Sequence, residues 1–318
     1  MNKITIYHDF NLELKLYSIP NFFIDKIKKE FPNVGFQDID SMYDYDSVNI
    51  YFGNRINNKL IKQYKNLKWI HLGCVGYDSI DLEIIKSRNI LMTNSGGLLT
   101  NSMVELALNF ITSFSRGMHH INYLRHHNIL DRKNFDKHYE TVTNLTNQKV
   151  LICGYGAVGS KLAKILENLD MDIYTVSRSK SSNYKNFSID DLDRIVPEVD
   201  YIVNLLPLSD DTKHLFDSKL FSKMNNVNFI NLGRGQTVKE ADLLLALDNN
   251  NISAAALDVF EKEPLSKESK LLNNQKIILT PHIAGLDSKY WNRQLDLFRY
   301  NISAYLTEQT KSFKNKII

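Results

Sequence analysis

At 318 residues the chain has length for about two domains and an ample core. Its 43% hydrophobic and 24% charged content is that of an ordinary globular protein. A net charge of +3 with no basic block gives no hold on nucleic acid or an anionic membrane, and the lysines between Lys311 and Lys316 read as a solvated chain end. Two cysteines, Cys74 and Cys153, have neither metal spacing nor a disulfide framework, and their apolar surroundings suit buried, reduced thiols. No run approaches the roughly eighteen apolar residues of a membrane span, and the N-terminus starts as a strand instead of a signal core, so the chain reads as a cytoplasmic protein.

The first hundred residues alternate short strands and helices. Ile4 to Tyr7, Val48 to Phe52 and Leu67 to Leu72 are predicted strands, and Phe22 to Phe31 a helix. The third strand opens into Gly73-Cys74-Val75-Gly76-Tyr77-Asp78, a glycine-flanked loop where parallel sheets bind ligands. This pattern favours a flavodoxin-like sheet. After a strand over Ile90 to Asn94, Thr100 or Asn101 can cap a long helix reaching Ser113 or beyond, with Val104, Leu106, Ala107, Phe110 and Ile111 as its apolar face. That helix can carry the chain into a second domain. The polar stretch from Arg116 to Asn144 shows no clear period, and its histidines His119, His120, His126, His127 and His138 lack the partners and spacing of a metal site.

From Lys149 the organisation sharpens. An apolar run, Val150 to Cys153, leads into Gly154-x-Gly156-x-x-Gly159, a helix carrying Leu162, Ala163, Ile165 and Leu166, and a second strand over Ile173 to Val176. Strand, glycine turn, helix and strand form the dinucleotide fingerprint, in which the pyrophosphate rests on helix N-terminal amides. NAD sites place a carboxylate after the second strand; here the chain reads Ser177-Arg178-Ser179-Lys180. An acid would repel a 2′-phosphate, whereas a guanidinium beside hydroxyls can bind it, so NADPH is the expected cofactor, with NAD still possible.

Further strands are predicted at Val199 to Leu206, Val227 to Leu232, Ala254 to Val259 and Ile277 to Leu279, with helices at Phe216 to Met224 and Glu240 to Asp248. Their C-terminal ends deliver Ser177-Arg178, Arg234, Asp258 and His282 toward one crevice. Arg234, between glycines, is a natural bidentate partner for a carboxylate. His282 is a candidate proton donor near neutral pH, and either Glu261 or Glu263 could pair with it and stabilise its imidazolium; spacing alone does not separate the two.

The runs Asn231-Leu232-Gly233-Arg234-Gly235, Ala255 through Pro264, and Pro281-His282-Ile283-Ala284-Gly285 closely resemble the D-isomer-specific 2-hydroxyacid dehydrogenases. Leu206-Pro207-Leu208 with Thr212, Leu67 to Ile70 with Gly76-Tyr77-Asp78, and Thr100-x-x-Met103-Val104-Glu105 match as well. The missing acid at Ser177 is similar to the NADPH-using glyoxylate and hydroxypyruvate reductase branch.

The resemblance implies two doubly wound parallel-sheet α/β domains, a Rossmann NAD(P)-binding domain (100–286) inserted into a flavodoxin-like substrate domain (1–99 and 287–318). It implies Arg234 as carboxylate anchor, His282 as acid–base and Glu263, preceding a proline, as its partner. Asp258 would contact the nicotinamide amide, and Gly154, Gly156, Ala157, Val158 and Gly159 the pyrophosphate. Leu206, Pro207, Thr212, Leu232, Gly233 and Gly285 would line the cofactor site, and Cys74, Val75 and Gly76 would receive the substrate carboxylate. The activity implied is reduction of a small 2-keto acid to a D-2-hydroxy acid by a homodimer. A dinucleotide sensor of the corepressor kind and a methyltransferase are the alternatives; the first would tolerate loss of the trio Arg234, Glu263 and His282, and the second would not explain it.

Overall fold

A computed structural model describes residues 3–10, 18–37, 44–178, 183–309 and 311–318. Ser179 and Lys180, expected beside the nucleotide ribose, lie outside these residues. The chain divides into two compact units, Met1–Leu99 with Leu286–Ile318, and Thr100–Gly285.

In the first unit the strands β1 (Ile4–His8), β2 (Val34–Gln37), β3 (Ile50–Gly53), β4 (Trp69–Leu72) and β5 (Leu91–Thr93) form a five-stranded sheet in the order β2-β1-β3-β4-β5. Every pairing is parallel, and the order is the flavodoxin-like one. The period of two along each strand splits its apolar side chains between two cores. Ile6, Ile50, Phe52 and Trp69 pack with Phe23, Ile27 and the C-terminal helix Tyr290–Leu306. Tyr7, Tyr51, Ile70 and Leu72 pack with Ile61 and Ile85. Burial on both faces explains why these strands read as continuous apolar runs.

In the second unit β6 (Lys149–Cys153), β7 (Asp172–Val176), β8 (Lys185–Phe187), β9 (Tyr201–Asn204), β10 (Val227–Asn231), β11 (Ile252–Leu257) and β12 (Ile277–Leu279) form a seven-stranded sheet. Its order is β12-β11-β10-β9-β6-β7-β8, the Rossmann winding, with the reversal between β6 and β9. Leu151 and Cys153 face one core and Val150 and Ile152 the other, where they meet Leu162, Ala163 and Leu166 of the helix Ala157–Glu167. The helix Thr100–Ser115 covers the same face through Val104, Ala107, Phe110, Ile111 and Phe114.

Several boundaries differ from expectation for local reasons. Thr100 begins its helix instead of capping it. β9 stops at Asn204 because the Asn204 side chain takes the Leu206 N–H and turns the chain out of the ladder. β11 ends at Leu257 because the Asp258 carboxylate binds amides after β12. The helix expected over Phe216 to Met224 shortens to Ser218–Phe221, started by the Asp217 side chain on the Leu220 N–H. The stretch from Arg116 to Asn144 contains helices Met118–His126 and Arg132–Asp136. Cys153 is fully buried, which pushes its thiol up to about 12, but Cys74 is only half-buried.

Candidate active site

The fingerprint glycines divide into two kinds. Gly154, directly after β6, has φ +106, a left-handed backbone that disfavours a side chain, and a Cβ there would lie 3.0 Å from the Leu205 carbonyl. A Cβ on Gly159 would sit 2.1 Å from the Gly154 carbonyl oxygen, so Gly159 lets the helix close onto the strand. Gly156 has an ordinary extended backbone (φ −87), and its Cβ would meet nothing within 4 Å among the described residues. Packing therefore accounts for the first and third glycines but not for the second. Gly156 is the N-cap of Ala157–Glu167, brings no side chain to its amides, and no acid stands in the first turn. An exposed Ala157, a half-buried Val158 and the positive end of an eleven-residue helix suit a diphosphate.

At the end of β7 the half-buried Ser177 hydroxyl donates to Asn186 Oδ1 at 2.8 Å, and Arg178 is exposed. Asn186, on β8, also accepts from Thr175 Oγ1 at 2.9 Å. It is a brace for Ser177 that sequence reasoning missed, because β8 is only three residues long and interrupted by polar side chains.

A buried polar network sets the loops after β9 and β10. Asn204, Asn231 and Thr237 are 0%, 1% and 0% exposed, so each polar atom needs a partner. Asn204 Nδ2 donates to Asn231 Oδ1 (3.0 Å) and Thr237 Oγ1 (2.7 Å). Asn231 Oδ1 also accepts from the Gly233 N–H, and its Nδ2 donates to the Arg234 carbonyl. Thr237 gives that carbonyl both its hydroxyl (2.6 Å) and its N–H (3.2 Å). The Arg234 backbone is thus held on three sides, while its Nη1 donates to the Gly233 carbonyl. Gly233 and Gly235 permit this, since their Cβ atoms would fall 2.6 Å from Leu206 O and 1.8 Å from Phe260 O. Leu206 and Leu232 are buried and Pro207 exposed. Thr212 is also buried and gives its hydroxyl to the Pro207 carbonyl at 2.7 Å, bracing the loop from within. Asparagines closing otherwise apolar strands were the available signal for this network.

After β12 the chain turns back with His282 at φ +54, a left-handed conformation uncommon for a residue other than glycine. Asp258, 1% exposed, holds that turn: Oδ1 accepts from the Ile283 N–H and Thr280 Oγ1, Oδ2 from the Ala284 N–H, and its carbonyl from the His282 N–H. Gly285, half-buried, follows. His282 Nδ1 lies 2.8 Å from Glu263 Oε2, and Glu263 Oε1 accepts from the Phe260 N–H. An ionised carboxylate only accepts, so Nδ1 carries the proton shared with Glu263, and the His282 ring is half-exposed.

Glu261 faces elsewhere. It accepts from the Glu240 N–H, its own N–H donates to the Glu240 carboxylate, and it pairs with His214 Nε2 at 2.9 Å. Burial, with the neighbouring Glu261 charge adding, raises the Glu240 carboxyl above its usual range. In the first unit the loop after β4 carries a half-buried Cys74, an exposed Val75 and a half-buried Gly76. Among the described residues no cluster of three or more His, Cys, Asp or Glu side chains could hold a metal ion; His120 stacks on His138 and lies tilted against His119, and burial lowers His119 to about 4 and His120 to about 3.

Residues 108–284 match the family described as D-isomer specific 2-hydroxyacid dehydrogenase, NAD binding domain. The chain is 36% identical to a probable 2-ketogluconate reductase of Dictyostelium discoideum over 72% of this chain and 70% of that one. It is 30% identical to glyoxylate/hydroxypyruvate reductase B of Klebsiella pneumoniae over 79% and 76% of the two chains. Its fold matches a Thermus thermophilus protein (TM-score 0.82, 20% identity, 99% and 100% covered). It also matches an NADPH-dependent glyoxylate/hydroxypyruvate reductase of Sinorhizobium meliloti, determined with NADP and malonate (TM-score 0.78, 22% identity, 96% and 94% covered). The chain is an oxidoreductase belonging to the D-isomer specific 2-hydroxyacid dehydrogenase family.

Proposed function

We propose that this enzyme reduces a small 2-keto acid to the D-2-hydroxy acid, with NADPH preferred over NADH. The observation that carries the reading is the His282–Glu263 pair: with Nδ1 held at 2.8 Å by the carboxylate, Nε2 presents a proton from a half-exposed ring. The residues fit the cofactor in three respects: the open cradle at Gly156, the uncapped helix N-terminus behind it, and an Arg178 in place of the acid that would repel a 2′-phosphate. A bound reduced nicotinamide supplies hydride chemistry at the keto carbon. His282 gives its Nε2 proton to the keto oxygen, and Glu263 stabilises the imidazolium from which that proton leaves. Arg234 binds the substrate carboxylate and offsets the charge that develops on the oxygen. Within the first unit, the Val75 and Gly76 amides are the groups suited to receive a substrate carboxylate. Glyoxylate and hydroxypyruvate are the leading substrates, because the Klebsiella relative is named for them.

The test is a steady-state panel of glyoxylate, hydroxypyruvate, pyruvate and bulkier keto acids with each cofactor. NADPH should lead NADH by about tenfold or more in kcat/KM, and His282→Ala should lower kcat by roughly 10²–10⁴. Preference for NADH by the same margin would overturn the role of Ser177 and Arg178. No turnover with any keto acid would overturn the activity.

A further inference from the structure

We propose that Asn94 and Tyr290 are positioning residues for the loop after β4, Asn94 aiming the Gly76 amide outward beside the Val75 amide and Tyr290 anchoring the start of the loop, so that the two amides form a nest for the substrate carboxylate. This rests on the reading above that the loop receives that carboxylate. All the groups involved belong to the first unit.

A trans peptide points its carbonyl and its N–H in opposite directions, so whatever fixes a carbonyl also aims the next amide. The Cys74 carbonyl accepts from the Ser95 N–H at 3.1 Å, and the Val75 carbonyl from Asn94 Nδ2 at 2.8 Å. Both carbonyls are therefore turned toward one short segment, Asn94–Ser95, and the Val75 and Gly76 N–H groups are turned away from it. Among the described residues neither N–H donates to another backbone group outside regular elements, and Val75 is 44% exposed. Two successive amides aimed the same way into solvent form an anion-binding concavity. Upstream, the Tyr290 hydroxyl donates to the Gly73 carbonyl at 2.5 Å and anchors the start of the loop to the helix Tyr290–Leu306.

The orienting groups are themselves held. Asn94 is 9% exposed, and its Oδ1 accepts from the Gly96 N–H at 3.0 Å, which leaves Nδ2 for Val75. Its own N–H donates to the Asn315 carbonyl, while Asn315 Nδ2 returns a bond to Gly96 O. Ser95 Oγ lies 2.7 Å from the Leu72 carbonyl and 2.9 Å from Gln294 Oε1, and Gln294 in turn meets the buried His71. Removing the Asn94 amide frees the 75–76 peptide to rotate, so the cost falls on binding an anion more than on the chemistry that follows.

The full chain is assayed with glyoxylate and NADPH and, separately, titrated with oxalate by calorimetry. Asn94→Ala should raise the glyoxylate KM and the oxalate Kd by about tenfold, with kcat within about threefold and the NADPH Kd unchanged. Tyr290→Phe keeps the ring in its packing and should raise KM and the oxalate Kd by roughly threefold. A merely structural brace would lower kcat or melting temperature without that split. The proposal is overturned if both variants bind oxalate as tightly as the parent, or if kcat falls while KM holds. Should the parent reduce no keto acid, the activity reading fails by itself, and oxalate affinity in parent and variants still decides the positioning role.

Discussion

Adding a single methyl group at Gly156 should separate cofactor binding from folding. The Gly156 backbone (φ −87) is open to alanine, and the new Cβ would meet nothing within 4 Å among the described residues. Reduced entropy of the unfolded chain favours alanine by about 0.4–1 kcal/mol, and its poorer N-cap behaviour opposes this by a similar amount. The net change in stability should stay within about 1 kcal/mol. A diphosphate resting on the Ala157 and Val158 amides would be displaced by the methyl, losing charge-assisted hydrogen bonds worth roughly 1.5–3 kcal/mol, or about 10- to 150-fold in affinity. Gly159→Ala is the contrast: its Cβ would sit 2.1 Å from the Gly154 carbonyl oxygen, a backbone atom, so the helix must shift at a cost of about 1–3 kcal/mol. Fluorescence titration of NADPH, paired with thermal melts, reads both effects. Gly156→Ala should lose binding with its melt unchanged, and Gly159→Ala should lose both. If Gly156→Ala bound NADPH as the parent does, the assignment of the open glycine to the cofactor would be wrong.

Glu263→Gln should lower kcat by about tenfold or more with little change in KM, because the amide cannot stabilise the imidazolium that Nδ1–H of His282 forms; unchanged turnover would remove Glu263 from the mechanism. Asn231→Ala would leave the Gly233 N–H and one of the two Asn204 Nδ2 hydrogens without a buried acceptor, and urea unfolding should show a loss of roughly 2–4 kcal/mol. Burial holds the His71 imidazole down to about 3, against an ordinary 6.5, so the unfolded chain binds a proton across that window and the native chain does not. Stability should therefore fall as pH drops below 6.5, by about 2 kcal/mol between pH 7 and pH 5, and His71→Asn should flatten that slope in pH-dependent melts. An unchanged slope would assign the acid sensitivity to other groups.

Much of the second unit was legible because parallel strands buried on both faces must be apolar throughout. β6, β10 and β12 stand within a residue or so of where their apolar runs place them, and the helix between β6 and β7 follows from Leu162, Ala163 and Leu166. β2 and β8 escaped for the opposite reason. Each is an edge strand of three or four residues, only partly buried, with Gly35 or Asn186 breaking the apolar run. The stretch from Arg116 to Asn144 folds into short helices whose buried residues are few, His119 and Leu124 in the first and none in the second, so it has no period to read.

What each strand-end side chain faces is a different kind of information, because its partner is set by chain that lies far away in sequence. Asp258 reads as a group lining a crevice, yet both its oxygens are engaged by amides and a hydroxyl around His282, where a left-handed residue needs its neighbours tied down. Glu261 and Glu263 pose the same problem in its simplest form, since they are two residues apart, identical in chemistry and equally able to reach a histidine by spacing. The helix Glu240–Asp248 breaks the tie. Its first N–H donates to the Glu261 carboxylate, and the Glu240 carboxylate accepts the Glu261 N–H, a reciprocal pair that fixes the backbone two residues before Glu263. With Glu261 committed there and to His214, Glu263 is the carboxylate that meets His282 at 2.8 Å. Which of the two carboxylates meets His282 is thus decided by a helix terminus distant in sequence, and Glu240→Ala should disturb the pH profile of kcat through His282 while leaving NADPH affinity intact. A profile identical to the parent's would show that the Phe260–Glu263 turn holds its shape without the helix.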